Sequence, residues 1–229
     1  MITVISVAAP PPIDEDASLS VSERTYQTLL DRIVSRQIRA GEVMEERRLA
    51  IELAVSRTPM RAALNRLLGE NILERLSNGT LVVQQFGATE LLELLQIRRL
   101  LEGEASAMAA GRIPSALLES VRQRLLAVTR GEPADASDWT ADNEVHELIS
   151  GYCGNRSLAG MIADARRRVR MCNVERVPAR LIQAREEHLA IVQALLDGDA
   201  ERARDAMQAH LDSVRATFIT TLGYLNRGA

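Results

Sequence analysis

Three histidines, His146, His188 and His210, are the only imidazoles in a chain of 229 residues, and their neighbours decide what they could do. His146 follows Asp142 by four residues in "DNEVHEL". On a helix that spacing puts the carboxylate and the imidazole on one face, where they can grip one cation. His188 and His210 lie on two further helical stretches separated by the turn "DGD" at 197–199. A bundle can direct inward-facing ligands from several helices at one site. An aspartate with three imidazoles suits Zn²⁺, Ni²⁺, Mn²⁺ or a similar divalent ion. Taken singly, each histidine also fits a surface or satisfied core position of an amphipathic helix.

A second group could do a different chemistry. In "VSRTPMRAAL", residues 55–64, Arg57 and Arg61 flank Pro59. Proline is tolerated in the first turn of a helix, where the leading N–H groups have no intrahelical partner. The stretch therefore reads as a helix start, with Ser56 or Thr58 as its cap. Arg57 and Arg61 lie one turn apart and can project the same way. Arginine reads guanine bidentately and also binds phosphate, and the helix N-terminus adds a favourable dipole for an anion. A solvated surface helix is the alternative on spacing alone.

These residues need elements to hold them. Apolar positions from Val21 to Ile38 recur at helical spacing, predicting a helix over 20–40 that Gly41 ends. "EERRLAIELA" predicts a short second helix, and the Arg57 stretch a third with Leu64, Leu67 and Leu68 on one face. Asn78-Gly79 is a hairpin signal between "ILERL" and "TLVVQQF". Three helices and a hairpin make a winged helix-turn-helix. Beyond Gly87-Ala88 strand signals nearly vanish. Helical patterns cover 89–111, 114–130, 139–150, 155–175, 180–197 and 199–223, with breaks at Gly111 to Pro114, "GEPADASD", "GYCGN", "RVPA" and "DGD". The fold class expected is mainly α: a winged helix-turn-helix followed by an all-α bundle of six to seven helices. The domain plan is a disordered leader over 1–19, a DNA-binding domain over 20–86, a linker over 87–89 and the bundle over 90–225.

Composition narrows the classes. Hydrophobic residues make up 46%, enough to bury a core, and no apolar run approaches the ~20 residues needed to cross a bilayer. Met1 to Ser18 lacks the basic and apolar regions of a signal peptide. Two cysteines, Cys153 and Cys172, make no disulfide framework, so a reduced cytoplasm is the expected setting. Net charge is −3, which excludes a uniformly basic nucleic-acid coat. Even residues 20–86 hold ten arginines against eight acidic residues, so position and not net charge must carry DNA binding. All 28 basic residues are arginine, a bias that a GC-rich genome gives by itself. Aromatics at 3% make a base-stacking surface for single strands improbable.

At this point two resemblances apply. "VSRTPMRAALNRLLGENILERLSNGTLVV", with "IRAGEVMEERRLAIELAVSR" before it, resembles the winged helix of GntR-type bacterial transcription regulators. That resemblance implies DNA contacts at Arg47, Ser56, Arg57, Thr58, Arg61 and the wing residue Gly79. Ala40 stands where the pattern has proline, and Ala62 where it has glutamate. "DNEVHELISGYCGNRSL", followed by "EEHLAIVQALLDGDAERARDAMQAHL", resembles the FCD effector-binding domain of one GntR branch. It implies Asp142, His146, His188 and His210 as ligands of a divalent metal, one for one. Val145 takes a place commonly held by phenylalanine. "LLQIRRLLEGEA" is similar to that family's R-x-x-L-E, which implies Arg98 as the group holding a small carboxylate effector. An i,i+4 pair of Arg98 with Glu102 is the other reading of the same spacing.

The combined expectation is a cytoplasmic homodimer, a repressor more than an activator, that binds a palindromic operator and whose operator affinity answers to the effector. Two rivals differ from it. One is a regulator whose metal is purely structural. The other is an all-α metal-dependent hydrolase, since a histidine site can activate water. Position 150 is serine, so "HEL" at 146–148 does not complete H-E-x-x-H. G-x-S-x-G, P-loop and G-x-G-x-x-G are absent from the sequence. The hydrolase reading also leaves the winged helix without a role.

Overall fold

The computed structural model describes residues 19–127, 136–171 and 180–225, with side chains described over 19–127, 143–171 and 180–220. The expected leader, Cys172, the breaks near 131–135 and 176–179, and the side chain of Asp142 lie outside the described residues. Backbone contacts divide the chain into two units, one up to Gln84 and one from Gln85.

In the first unit α1 (Val21–Val34) is capped by Ser20, whose Oγ accepts from the Glu23 N–H at 3.1 Å. It buries Tyr26, Leu29 and Ile33 against Met60, Leu64 and Leu67 of α3 (Arg57–Gly69). The helix stops at Val34 and not at Gly41. Arg36 adopts φ 64°, a left-handed conformation that turns the chain out of the helix. Ile38 sustains the apolar pattern because it is buried from the following loop. Short α2 (Glu46–Glu52) leads through Ala54, at φ 52°, into α3. Ser56 occupies the cap position without a side-chain bond, and Pro59 sits in the first turn.

The wing is β1 (Leu73–Arg75) paired antiparallel with β2 (Leu81–Val83), Glu74 opposite Val82. Gly79, at φ 85°, makes the turn, and Asn78 Oδ1 accepts from the Thr80 N–H at 3.0 Å. The far edge of β2 is also covered. The Gly41 N–H donates to Val83 O and the Met44 N–H to Leu81 O, both at 2.9 Å, and Val43 bridges Val82. This extra edge was not apparent in the sequence because the segment is too short to show alternation.

The second unit is helical among its described residues: α4 (Ala88–Ala109), α5 (Ser115–Ala127), α6 (Ala136–Tyr152), α7 (Arg156–Met171), α8 (Leu181–Leu196) and α9 (Ala200–Leu225). Helix α4 runs along α9, α6 and α7, and α8 packs on α9, α5 and α6. One core gathers Ala105, Ile149, Cys153, Ile162, Ile191, Leu195, Met207 and Leu211. A second joins Leu91, Leu94 and Leu95 of α4 to Val169, Val214 and Phe218. Gly103 lets α4 lie close to α9, since a Cβ there would come within 2.8 Å of the Gln208 side chain. The two cores leave a polar middle on α4, where Arg98 and Glu102 are buried. The fold is therefore mainly α, a winged helix-turn-helix and an all-α bundle. No helix of the described residues is long and apolar enough to cross a membrane.

Candidate functional site

In the second unit α6, α8 and α9 bring His146, His188 and His210 together. Each offers a ring nitrogen within 4.8 Å of the others, and ring centroids lie 4.3–5.4 Å apart. All three are buried, at 1%, 1% and 3% exposure. His146 Nε2 and His188 Nε2 are 3.2 Å apart.

Carboxylates fix which nitrogen of two of the rings carries hydrogen. Glu102, 1% exposed on α4, accepts from His146 Nδ1 through Oε2. Glu187 Oε2 accepts from His210 Nδ1 at 2.8 Å. An ionised carboxylate only accepts, so each Nδ1 donates, and in the neutral form of each ring Nε2 keeps its lone pair. Both carboxylates are in turn held by arginine. Arg98 Nε donates to Glu102 Oε1 at 2.6 Å, and Arg180 Nη2 donates to Glu187 Oε2 at 2.6 Å and to the His210 carbonyl at 3.3 Å. Burial holds the His210 imidazole well below the ordinary histidine range, and the charges of His188, Arg180, Arg98 and Arg166 push it the same way. His210 is thus neutral near pH 7, the form that ligates metal.

This donor set fits a divalent ion. Nitrogens near 2.0–2.1 Å from one ion sit about 3.4 Å from each other in tetrahedral geometry, and the His146–His188 separation is close to that. The orienting carboxylates are the partners that metal-bound imidazoles usually have. Glu102 and Glu187 were missed in the sequence. Glu102 sits four residues from Arg98 and Glu187 directly before His188, which hints at proximity but not at which ring each meets. Arg98 is paired with Glu102 as the i,i+4 reading had it, but at 2% exposure the pair is buried and not on the surface.

In the first unit the other candidates are exposed: Arg47 on α2, Ser56, Arg57, Thr58 and Arg61 at the start of α3, and Gly79 at the wing tip. Arg47 and Arg57 make no ion pair among the described residues, whereas Arg61 is clasped by Glu46 of α2. Arg61 Nε donates to Glu46 Oε2 at 3.1 Å and Nη2 to Oε1 at 2.9 Å. That pair of bonds lowers the Glu46 carboxyl and raises the Arg61 guanidinium from their ordinary values, with Arg57 adding a weaker pull on Glu46.

Comparison with known proteins agrees with both units. Residues 21–83 match the model for bacterial regulatory proteins of the gntR family, and residues 93–213 match the FCD domain. The chain belongs to the GntR family, in its FCD branch. This GntR protein is 30% identical over 179 residues to the Nta operon transcriptional regulator of Aminobacter aminovorans, covering 78% of this chain and 85% of that one. It is 38% identical over 85 residues to the gluconate operon transcriptional repressor of Bacillus subtilis, covering 36% and 34%. Among solved structures, E. coli McbR/YncC superposes with TM-score 0.75 at 22% identity, over 89% of this chain and 99% of that one, a likeness of fold. The GntR protein is a transcriptional regulator and not an enzyme.

Proposed function

We propose that this regulator is a cytoplasmic homodimer that represses transcription by binding a palindromic operator, and that a small carboxylate bound beside a metal in the bundle controls that binding. In this reading the DNA-binding domain spans 20–86, a linker 87–89 and the effector domain 90–225. Arg47, Ser56, Arg57, Thr58, Arg61 and the wing Gly79 meet the DNA. The N-terminal residues of a second helix in this motif reach base edges in the major groove, and all six positions are exposed.

The observation that carries the effector half is the convergence of three buried imidazoles, two of which, His146 and His210, have Nδ1 tied by a carboxylate. His146, His188 and His210, with Asp142, would hold a divalent ion such as Zn²⁺, Ni²⁺ or Mn²⁺. When bound, the ion supplies a positive centre for a carboxylate, and Arg98 adds its guanidinium. One observation favours the second reading, a purely structural metal without effector: Arg98 already spends a donor on Glu102.

Metal analysis of the purified protein, with a thermal-shift screen of small carboxylates, separates these. Stoichiometric metal and a stabilising carboxylate support effector control. Metal with no stabilising carboxylate supports the structural reading. His188→Ala should lower metal content, and stoichiometric metal in that variant would overturn the ligand set. Arg57→Ala should weaken DNA binding at least tenfold with metal content unchanged, and unaltered DNA binding would remove α3 from the groove.

A further inference from the structure

Arg61 is held at both Nε and Nη2 by a carboxylate from the preceding helix, on the face proposed to meet DNA. An acidic residue there is unexpected on electrostatic grounds, because it repels phosphate and cancels a positive charge that non-specific affinity uses. Its geometry offers a reason for its place. The guanidinium has five N–H groups in a rigid plane. Glu46 occupies the Nε/Nη2 edge, and the Nη1/Nη2 edge remains, with its two parallel N–H groups directed away from the carboxylate. A pair of parallel donors is what the O6 and N7 atoms of guanine accept in the major groove. An unrestrained arginine would instead lose rotamer freedom on meeting a base. The neighbouring Arg57 has no such clasp among the described residues, so of the two arginines at the start of α3 only Arg61 is oriented by a carboxylate.

We infer that Glu46 is a specificity-determining positioning residue: by clasping the Nε/Nη2 edge of Arg61 it presents the adjacent Nη1/Nη2 edge, already oriented, to a guanine of the operator. The inference rests on the reading that the start of α3 enters the major groove, and it adds that the acidic residue of α2 sets the base preference there.

The test uses full-length protein and a randomised-sequence DNA duplex library, from which wild type, Glu46→Ala and Arg61→Ala each select their preferred sites. Affinities for the wild-type site, its single-base variants and a mixed-sequence duplex are then measured. Wild type should prefer guanine at one position of each half-site by roughly tenfold. Arg61→Ala should lose that preference. Glu46→Ala should weaken it to about two- or threefold at the same position, while affinity for mixed-sequence DNA rises because a carboxylate has left the phosphate-facing surface. Glu46→Gln, which keeps one acceptor for Arg61, should restore part of the preference. A merely structural role predicts that Glu46→Ala lowers specific and mixed-sequence binding together, together with the melting temperature of the first unit, and that result overturns the inference. If Arg61→Ala loses the guanine and Glu46→Ala keeps it in full, the inference alone fails. If Arg61→Ala changes neither affinity nor preference, the placement of α3 in the groove fails with it.

Discussion

At the scale of single residues, the histidine site is a lesson in what orients a ligand. With Nδ1 against the buried Glu102, His146 offers a metal its Nε2, and an ionised Glu102 favours the neutral tautomer that leaves that nitrogen its lone pair. Glu102→Gln keeps shape and volume but can present its amide nitrogen to Nδ1. Metal affinity of that variant, measured by competition with a chromophoric chelator, should fall about 10- to 100-fold. Unchanged affinity would mean that ring packing alone sets the geometry. The same burial gives a pH dependence whose sign can be worked out. His210 is held below the usual imidazole range in the folded protein, so between about pH 6.5 and its depressed folded value the unfolded chain binds a proton that the folded chain refuses. Stability is therefore complete above about pH 6.5 and declines as pH falls, by up to about 1.4 kcal/mol per pH unit for this one group. Urea midpoints of metal-free protein at pH 7.5 and 5.5 should show the loss, and His210→Gln should flatten it. A flat profile in wild type would place the compensating charge elsewhere.

At the scale of elements, the turn between α2 and α3 stores a small strain. Ala54 adopts φ 52°, where a Cβ costs about 1–2 kcal/mol, while glycine costs about 0.5–1 kcal/mol more chain entropy. Ala54→Gly should then raise the stability of the first unit by roughly 0.5–1 kcal/mol, read as a higher melting temperature with DNA binding retained. A lower melting temperature would show that the Ala54 methyl packs usefully. The end of α3 makes the contrast, since Asn71 at φ 55° is a residue type that tolerates this conformation. Such turns explain what could be read in the sequence. Long helices with a repeating apolar face, α4 to α9, and a hairpin marked by Asn78-Gly79 announce themselves through period and turn chemistry. The stop of α1 did not, because Ile38 continues the apolar spacing while being buried from a loop. The three histidines were legible as residue types on separate helices. Their carboxylate partners were not, because Glu102 reaches His146 across 44 positions and Arg98 is buried by packing that no local pattern encodes.

At the scale of the whole molecule, the question is whether the bundle and the DNA-binding unit share one equilibrium. Metal that binds only the folded bundle stabilises it by about 4 kcal/mol when free ion is a thousandfold above the dissociation constant. A chelator should therefore lower the melting temperature of the bundle under either reading, and restoring the ion should reverse the loss. That measurement alone does not separate a structural metal from a regulatory site. The discriminating quantity is a coupling free energy. A carboxylate that stabilises the metal-loaded protein can change DNA affinity only if it binds the DNA-competent and DNA-incompetent states unequally, and typical couplings of 1–3 kcal/mol correspond to roughly 5- to 150-fold. Linkage requires the reverse effect to be equal. If the carboxylate weakens binding of the selected duplex twentyfold, saturating duplex must weaken carboxylate binding about twentyfold as well. Both legs can be measured by calorimetry on full-length, metal-loaded protein. Equal factors on the two legs establish the bundle as a switch for the winged helix. A carboxylate that stabilises the protein while leaving both affinities unmoved binds the two states equally, and that outcome removes effector control of DNA binding.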